Sequence, residues 1–161
     1  MKTDLILKVL EANGRASLED IAAATGYTAQ EVAARLDAYQ KEGIINGYRA
    51  IIDYDKANVN RVQALIDVSV KPKKNHGFDE IAEMIAHLEE VDTVLLMSGG
   101  YDLSVVMSGK SFQDIALFVA KRLSPMDDVV STATHFVLKT YKKDGHLFGG
   151  ELKDERGLTT L

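Results

Sequence analysis

Cysteine is absent from this chain, which excludes a disulfide framework, a thiolate zinc site and thiol catalysis together. Tryptophan is absent too, and proline occurs only twice. No apolar run exceeds a handful of residues and 27% of the side chains are charged, so nothing resembles a membrane span or the apolar core of a signal peptide. A soluble, cytoplasmic protein with no membrane partner is expected. Basic residues are also in deficit, 19 against 24 acidic for a net charge of −5, which argues against non-specific coating of nucleic acid. A local reading surface remains open. The length, 161 residues with 46% apolar, is that of one domain or two small ones.

What is present divides by its apolar period. From residue 4 to 43 a helical rhythm occurs three times: Leu5, Ile6, Val9 and Leu10; Leu18, Ile21, Ala22 and Thr25; Val32, Leu36 and Tyr39. Asn13-Gly14, Gly26 and Gly43 follow the last apolar turn of each, where a residue tolerant of the left-handed conformation ends a helix. Ser17 caps the second helix, with Asp20 near its positive end, and Thr28 with Glu31 forms a capping box for the third. The spacer Gly26-Tyr27-Thr28 has the length of a helix-turn-helix turn. Asn46-Gly47 between apolar neighbours is a hairpin signal, so the expected N-terminal domain, residues 1–54, is a winged helix-turn-helix.

Residues 55–61 read as a polar linker. Val62, Ala64, Ile66, Val68 and Val70 then alternate as a strand with one buried face. The segments starting at Phe78 and Phe112 repeat nearly the same apolar offsets, with Ile81-Ala82 and Ile115-Ala116 in register 34 residues apart. Strands are expected at 62–70, 93–98, 102–109 and 128–140, around helices 78–88 and 112–123. The fold class is α+β: a ferredoxin-like βαββαβ antiparallel sheet over residues 62–143, with both helices on one face. A bare sheet face commonly buries itself against a copy, so at least a dimer is expected.

This organisation resembles the Lrp/AsnC family of transcriptional regulators. Ile6-Leu7-x-x-Leu10-x-x-Asn13-Gly14-Arg15-Ala16-Ser17 is similar to the family's opening helix and turn. The segment Val32-x-x-Arg35-Leu36-x-x-Tyr39-x-x-Glu42-Gly43-Ile44-Ile45-x-Gly47-Tyr48 is similar to its recognition helix and wing, and Gly99-Gly100-Tyr101-Asp102-Leu103 to its effector loop. The resemblance implies dimers, often assembled into octamers, that bind double-stranded DNA and respond to an amino acid or similar small metabolite at a subunit interface, without a cofactor.

With Val32, Leu36 and Tyr39 buried, helical geometry turns Gln30, Ala34, Asp37, Ala38 and Lys41 outward, with Arg35 on the flank. Thr28, Gln30, Ala34, Arg35, Ala38 and Lys41 are thus the candidate DNA-binding residues. Arg35 either meets DNA or pairs with Glu31 one turn earlier. Asp37 and Ala38 depart from the basic residues that relatives often carry there. Residues 1–55 hold six basic and nine acidic side chains, a local balance of −3 that leaves few phosphate contacts per head. For the small molecule, the resemblance points to Ser98, Gly99, Gly100, Tyr101 and Asp102 together with Ser131, Thr132 and Thr134. Backbone N–H groups beside glycines hold a carboxylate, Asp102 accepts from an α-ammonium, and the hydroxyls and Tyr101 supply the remaining contacts. The bland alternative is a Gly-Gly hairpin turn beside an ordinary edge strand.

His76, His87, His135 and His146 share no close metal-ligand spacing, and no catalytic motif stands out, so neither a metal site nor an enzyme is expected. Lys71, Lys73 and Lys74, like Lys142-Lys143, read as solvated charges. The rival functions are a tetrapyrrole decarboxylase of the same architecture, which would recruit His135, and a DNA-independent metabolite-binding assembly. The tail, residues 144–161, is read as mobile apart from Leu147 and Phe148, which offer a docking contact.

Overall fold

The computed structural model describes residues 4–72 and 77–148; Lys73, Lys74, His76 and the tail beyond Phe148 lie outside the described residues. The chain forms two compact units, Met1–Ile52 and Asp53–Leu161. The first contains α1 (Leu5–Ala12), α2 (Leu18–Thr25) and α3 (Ala29–Lys41). Each starts on a side-chain cap: Asp4 Oδ1 accepts from Ile6 N–H at 2.8 Å, and Ser17 with Asp20 and Thr28 with Glu31 form reciprocal capping boxes. Between α2 and α3 the chain turns through Gly26, whose φ of 79° is the left-handed geometry that glycine adopts without strain. Ile6, Ile21 and Val32 are the fully buried centre, with Leu10, Tyr27, Leu36 and Tyr39 packed around them. Each such burial contributes about 1.5–3 kcal/mol, so the core of this unit is small.

The expected wing is not a hairpin here: residues 44–52 form no strand. The amides of Ile44 and Ile45 both donate to Tyr39 O, at 2.8 and 3.1 Å, and so close the C-terminus of α3. Asn46 Nδ2 donates to Gly43 O at 2.9 Å. The first arm of the hairpin is thus consumed as a helix cap before it reaches the Asn-Gly turn. Ile44, Tyr48, Ile51 and Ile52 are left exposed.

In the second unit, β1 (Val62–Val70), β2 (Val91–Leu96), β3 (Leu103–Gly109) and β4 (Val129–Phe136) form an antiparallel sheet in the order β2-β3-β1-β4. Helix α4 (Asp79–Ala86) follows β1, and α5 (Phe112–Phe118) follows β3, continuing as one π-helical turn over Val119–Leu123. The repeated Ile-Ala pairs anchor both helices to one core: Ile81, Ile85, Ile115 and Phe118 pack with Ala64, Ile66, Val68, Leu103, Val105 and Met107. Gly109 permits this closeness, since an added Cβ would lie 3.1 Å from Ile115 Cγ1. Strand alternation turns Leu65, Asp67 and Ser69 of β1, Ser104 and Val106 of β3, and Ser131, Ala133 and His135 of β4 to the opposite face, which neither α4 nor α5 covers. Leu65 and Leu95 are exposed there.

The segment following β4 is more ordered than the tail reading allows. Two short strands, β5 (Lys142–Lys143) and β6 (His146–Leu147), pair across Asp144-Gly145, whose φ values of 45° and 83° are those of a two-residue hairpin turn. Asp-Gly carried that signal in the sequence.

Candidate functional site

The first candidate surface lies on α3. Thr28, Gln30, Ala34, Arg35, Asp37 and Lys41 are exposed, while Ala38 is only half-exposed and belongs to the edge of the packed face. Thr28 is committed to the helix start: its hydroxyl donates to Glu31 Oε2 at 2.9 Å and accepts from Glu31 N–H at 3.2 Å. The Thr28 backbone N–H, which donates to the same oxygen at 2.8 Å, and then the Thr28 hydroxyl hold the Glu31 carboxyl below its usual range.

Arg35 makes its ion pair with Asp4 rather than with Glu31, whose charge reaches it only at longer range. Its guanidinium lies over the Tyr27 ring, 4.5 Å from the centroid, and 3.6 Å from Asp4 Oδ2. The same Asp4 oxygen accepts from the Tyr39 hydroxyl. Asp4 thus joins the start of α1 to the middle of α3 with both carboxylate oxygens. Sequence reasoning missed this role, although an Asp directly ahead of an apolar helical run is an N-cap signal.

The cluster makes the helical unit pH-sensitive at both ends. The Tyr39 hydrogen bond, helped by Ile6 N–H and Arg35, holds Asp4 below its ordinary 3.8, whereas Asp4 pushes the Tyr39 phenol above 10.0. A depressed carboxyl stabilises the fold above its unfolded value and loses that contribution as pH falls through the folded one; a raised phenol loses its contribution as pH rises through its own. The melting temperature of the full chain, followed by circular dichroism at 222 nm, is therefore expected to fall below about pH 4 and above about pH 10, and Asp4→Asn should flatten both limbs. Unchanged limbs in that variant would remove the cluster as their cause.

The second candidate surface is one end of the sheet. Met97 N–H donates to Asp102 O at 2.8 Å and Asp102 N–H to Val68 O at 3.1 Å, closing the loop 98–102 against β1. Gly99 and Gly100 take no left-handed conformation, and a Cβ on either would meet open space. The fold of this chain does not itself require glycine there. Asp102 is the exception in the loop, for its Oδ2 accepts from Val70 N–H at 2.9 Å. Val70 N–H lies on the β3 side of β1, as does Val68 O, which accepts from Asp102 N–H, and the β1–β3 pairing ends at Val68–Leu103, so the Asp102 carboxylate supplies the acceptor that β3 no longer offers.

Since β3 and β4 both flank β1, the 98–102 loop and Ser131 lie at the same end of the sheet, two strand spacings or about 10 Å apart. The three expected hydroxyls do not converge. Ser131 turns to the open face, whereas Thr132 and Thr134 sit opposite buried Val68 and Ile66 on the helix side, Thr132 Oγ1 lying 3.3 Å from Ser124 Oγ. The period of two forbids all three from facing one ligand. His135 meets Asp67 on the open face, Nε2 to Oδ2 at 3.1 Å. Among the described residues no group of acidic and histidine side chains is placed to hold a metal ion, and no helix is long and apolar enough to cross a membrane.

Comparison with known proteins agrees with this two-part construction. Residues 5–40 match the AsnC-type helix-turn-helix domain, and residues 63–147 match the Lrp/AsnC ligand binding domain. The chain is 49% identical over 152 residues to the HTH-type transcriptional regulator YugG of Bacillus subtilis, covering 94% of this chain and 92% of that protein. It is 30% identical over 142 residues to the regulator FL11 of Pyrococcus horikoshii, covering 88% and 91%. Among solved structures, the Neisseria meningitidis transcriptional regulator NMB0573 in complex with L-Met superposes with a TM-score of 0.68 at 25% identity, over 95% of this chain and 97% of that one. With both halves matched in order and a close relative over nearly the full length, the chain belongs to the Lrp/AsnC family of helix-turn-helix transcriptional regulators.

Proposed function

We propose that this regulator reads DNA with α3, pairs with a second copy through the open face of its sheet, and takes an amino acid between copies at the loop 98–102. The observation that carries the reading is the capped α3, which presents Gln30, Ala34 and Lys41 on one exposed side of a helix-turn-helix, with Arg35 exposed on its flank. The open space around Gly99 and Gly100 supports a ligand or a neighbouring copy at that loop, where backbone N–H groups suit a carboxylate. Ser131 remains the candidate hydroxyl from β4. Since the relatives carry regulator names, we read the chain as a binding protein of the cytoplasm, where its DNA is, and not as a catalyst. Methionine in the Neisseria complex makes it the first amino acid to try.

Arg35 and Lys41 are the cations on α3, so a dimer brings four of them to DNA. Each phosphate neutralised contributes about −0.9 to the slope of log K against log salt, so a slope between about −2, with Lys41 alone on phosphate, and about −4 is expected. The test titrates the purified chain onto DNA from upstream of its own gene, from low to moderate salt, with and without L-methionine or a mixed amino-acid pool. Binding with that slope, altered by an amino acid, is the expected result. Absence of any complex at low salt would remove the DNA-reading role.

A further inference from the structure

We infer that Tyr27, Asp4 and Tyr39 are positioning residues for DNA recognition, a clamp that aims the guanidinium of Arg35 outward from α3 and so sets base specificity. The inference rests on the DNA-reading role of α3 proposed above. The clamp has two contacts of different kind. The Tyr27 ring lies 4.5 Å from the guanidinium carbon and fixes the plane of the group, while Asp4 Oδ2 at 3.6 Å fixes its rotation from one edge. Asp4 itself cannot swing away, because Ile6 N–H and the Tyr39 hydroxyl hold both its oxygens.

This arrangement orients Arg35 without exhausting it. A guanidinium carries five N–H donors, and the contact to Asp4 is longer than a hydrogen bond, so donors remain for DNA. The side chain is 44% exposed. A bidentate contact to guanine requires a planar fork held in one orientation, whereas a phosphate accepts an arginine from many directions. Pre-orientation therefore raises discrimination between sequences more than it raises affinity for DNA in general. It also accounts for how a head with a balance of −3 can read DNA: few cations are present, and the one at the centre of α3 is fixed.

The test first selects a preferred duplex from a random-sequence pool with the full-length protein, then measures affinity for it and for its scrambled counterpart. Tyr27→Leu keeps an apolar side chain on the core but removes the ring; it should lose about tenfold in affinity for the selected duplex and about none for the scrambled one. Tyr27→Phe keeps the ring and should behave as the parent. Asp4→Asn retains an oxygen for the α1 cap but not the charge; it should raise scrambled affinity and reduce the selected-to-scrambled ratio about fivefold. In an Arg35→Ala background, Tyr27→Leu should change neither value further. An undiminished ratio in both Tyr27→Leu and Asp4→Asn overturns the clamp, as does an equal loss from Tyr27→Leu with Arg35 already removed. If the parent protein selects no duplex, the DNA-reading role itself falls, an outcome distinct from both.

Discussion

Leu65→Asp is expected to leave a folded chain that no longer pairs with its copy. Leu65 sits at the middle of β1 on the face opposite α4 and α5, between Val106 of β3 and His135 of β4, and 41% of it is exposed in the single chain. Its neighbours on β1, Ala64 and Ile66, point the other way into the helix-covered core, so the substitution spares that core. On the open face the new carboxylate stands two residues from Asp67. If two copies pack face to face, the isologous interface buries the added charge twice, and each unpaired buried charge costs about 3 kcal/mol. The sum is about four orders of magnitude in the dimer dissociation constant. Sedimentation equilibrium at micromolar concentration should show the mass of one chain where the parent shows at least two, with the circular dichroism spectrum preserved. An unchanged assembly mass would place the interface elsewhere than on this face.

The legible parts of the sequence were those in which a local signal and a tertiary need coincide. Ser17 with Asp20 and Thr28 with Glu31 cap their helices as read, because capping is decided within four residues. The Ile-Ala repeat anchors two helices on one sheet face because the same apolar offsets meet the same kind of surface. Where two uses competed for one backbone group, the local signal misled. Asn46-Gly47 is a good hairpin turn, but the Ile44 and Ile45 amides satisfy the end of α3 instead. The hydroxyls of Ser131, Thr132 and Thr134 look like one cluster in sequence, yet strand alternation splits them between faces. Arg35 was recognisable as a surface cation, but its partner is 31 positions away on α1, beyond any i,i+4 rule. Asp102 was equally opaque, since the amide it accepts from is left over where β3 stops pairing with a strand more than thirty residues earlier.

That last residue carries the second large prediction, because the proposed site asks one side chain to serve both fold and ligand. Oδ2 of Asp102 is the acceptor for the Val70 amide, and Val70 is buried, so Asp102→Ala leaves an unpaired N–H in the sheet. Such a group costs about 1–3 kcal/mol, which corresponds to a loss of about 5 °C in melting temperature for a chain of this size. Loss of ligand response in Asp102→Ala would therefore be ambiguous, since a displaced loop and a lost contact give the same readout. Asp102→Asn separates them. Its side-chain carbonyl can still accept from Val70 N–H, so the melting temperature should stay near that of the parent, but the negative charge that would face an α-ammonium is gone. In the parent, an amino acid at a hundred times its dissociation constant adds about 2.7 kcal/mol to stability. Titration with L-methionine, or with the amino acid that alters DNA binding, should raise the melting temperature of the parent and leave Asp102→Asn nearly unmoved. If Asp102→Asn keeps the full ligand shift while Asp102→Ala loses stability, Asp102 serves only to cap the Val70 amide at the end of the β1–β3 pairing, and an ammonium would find its acceptor elsewhere on the loop or on the neighbouring copy.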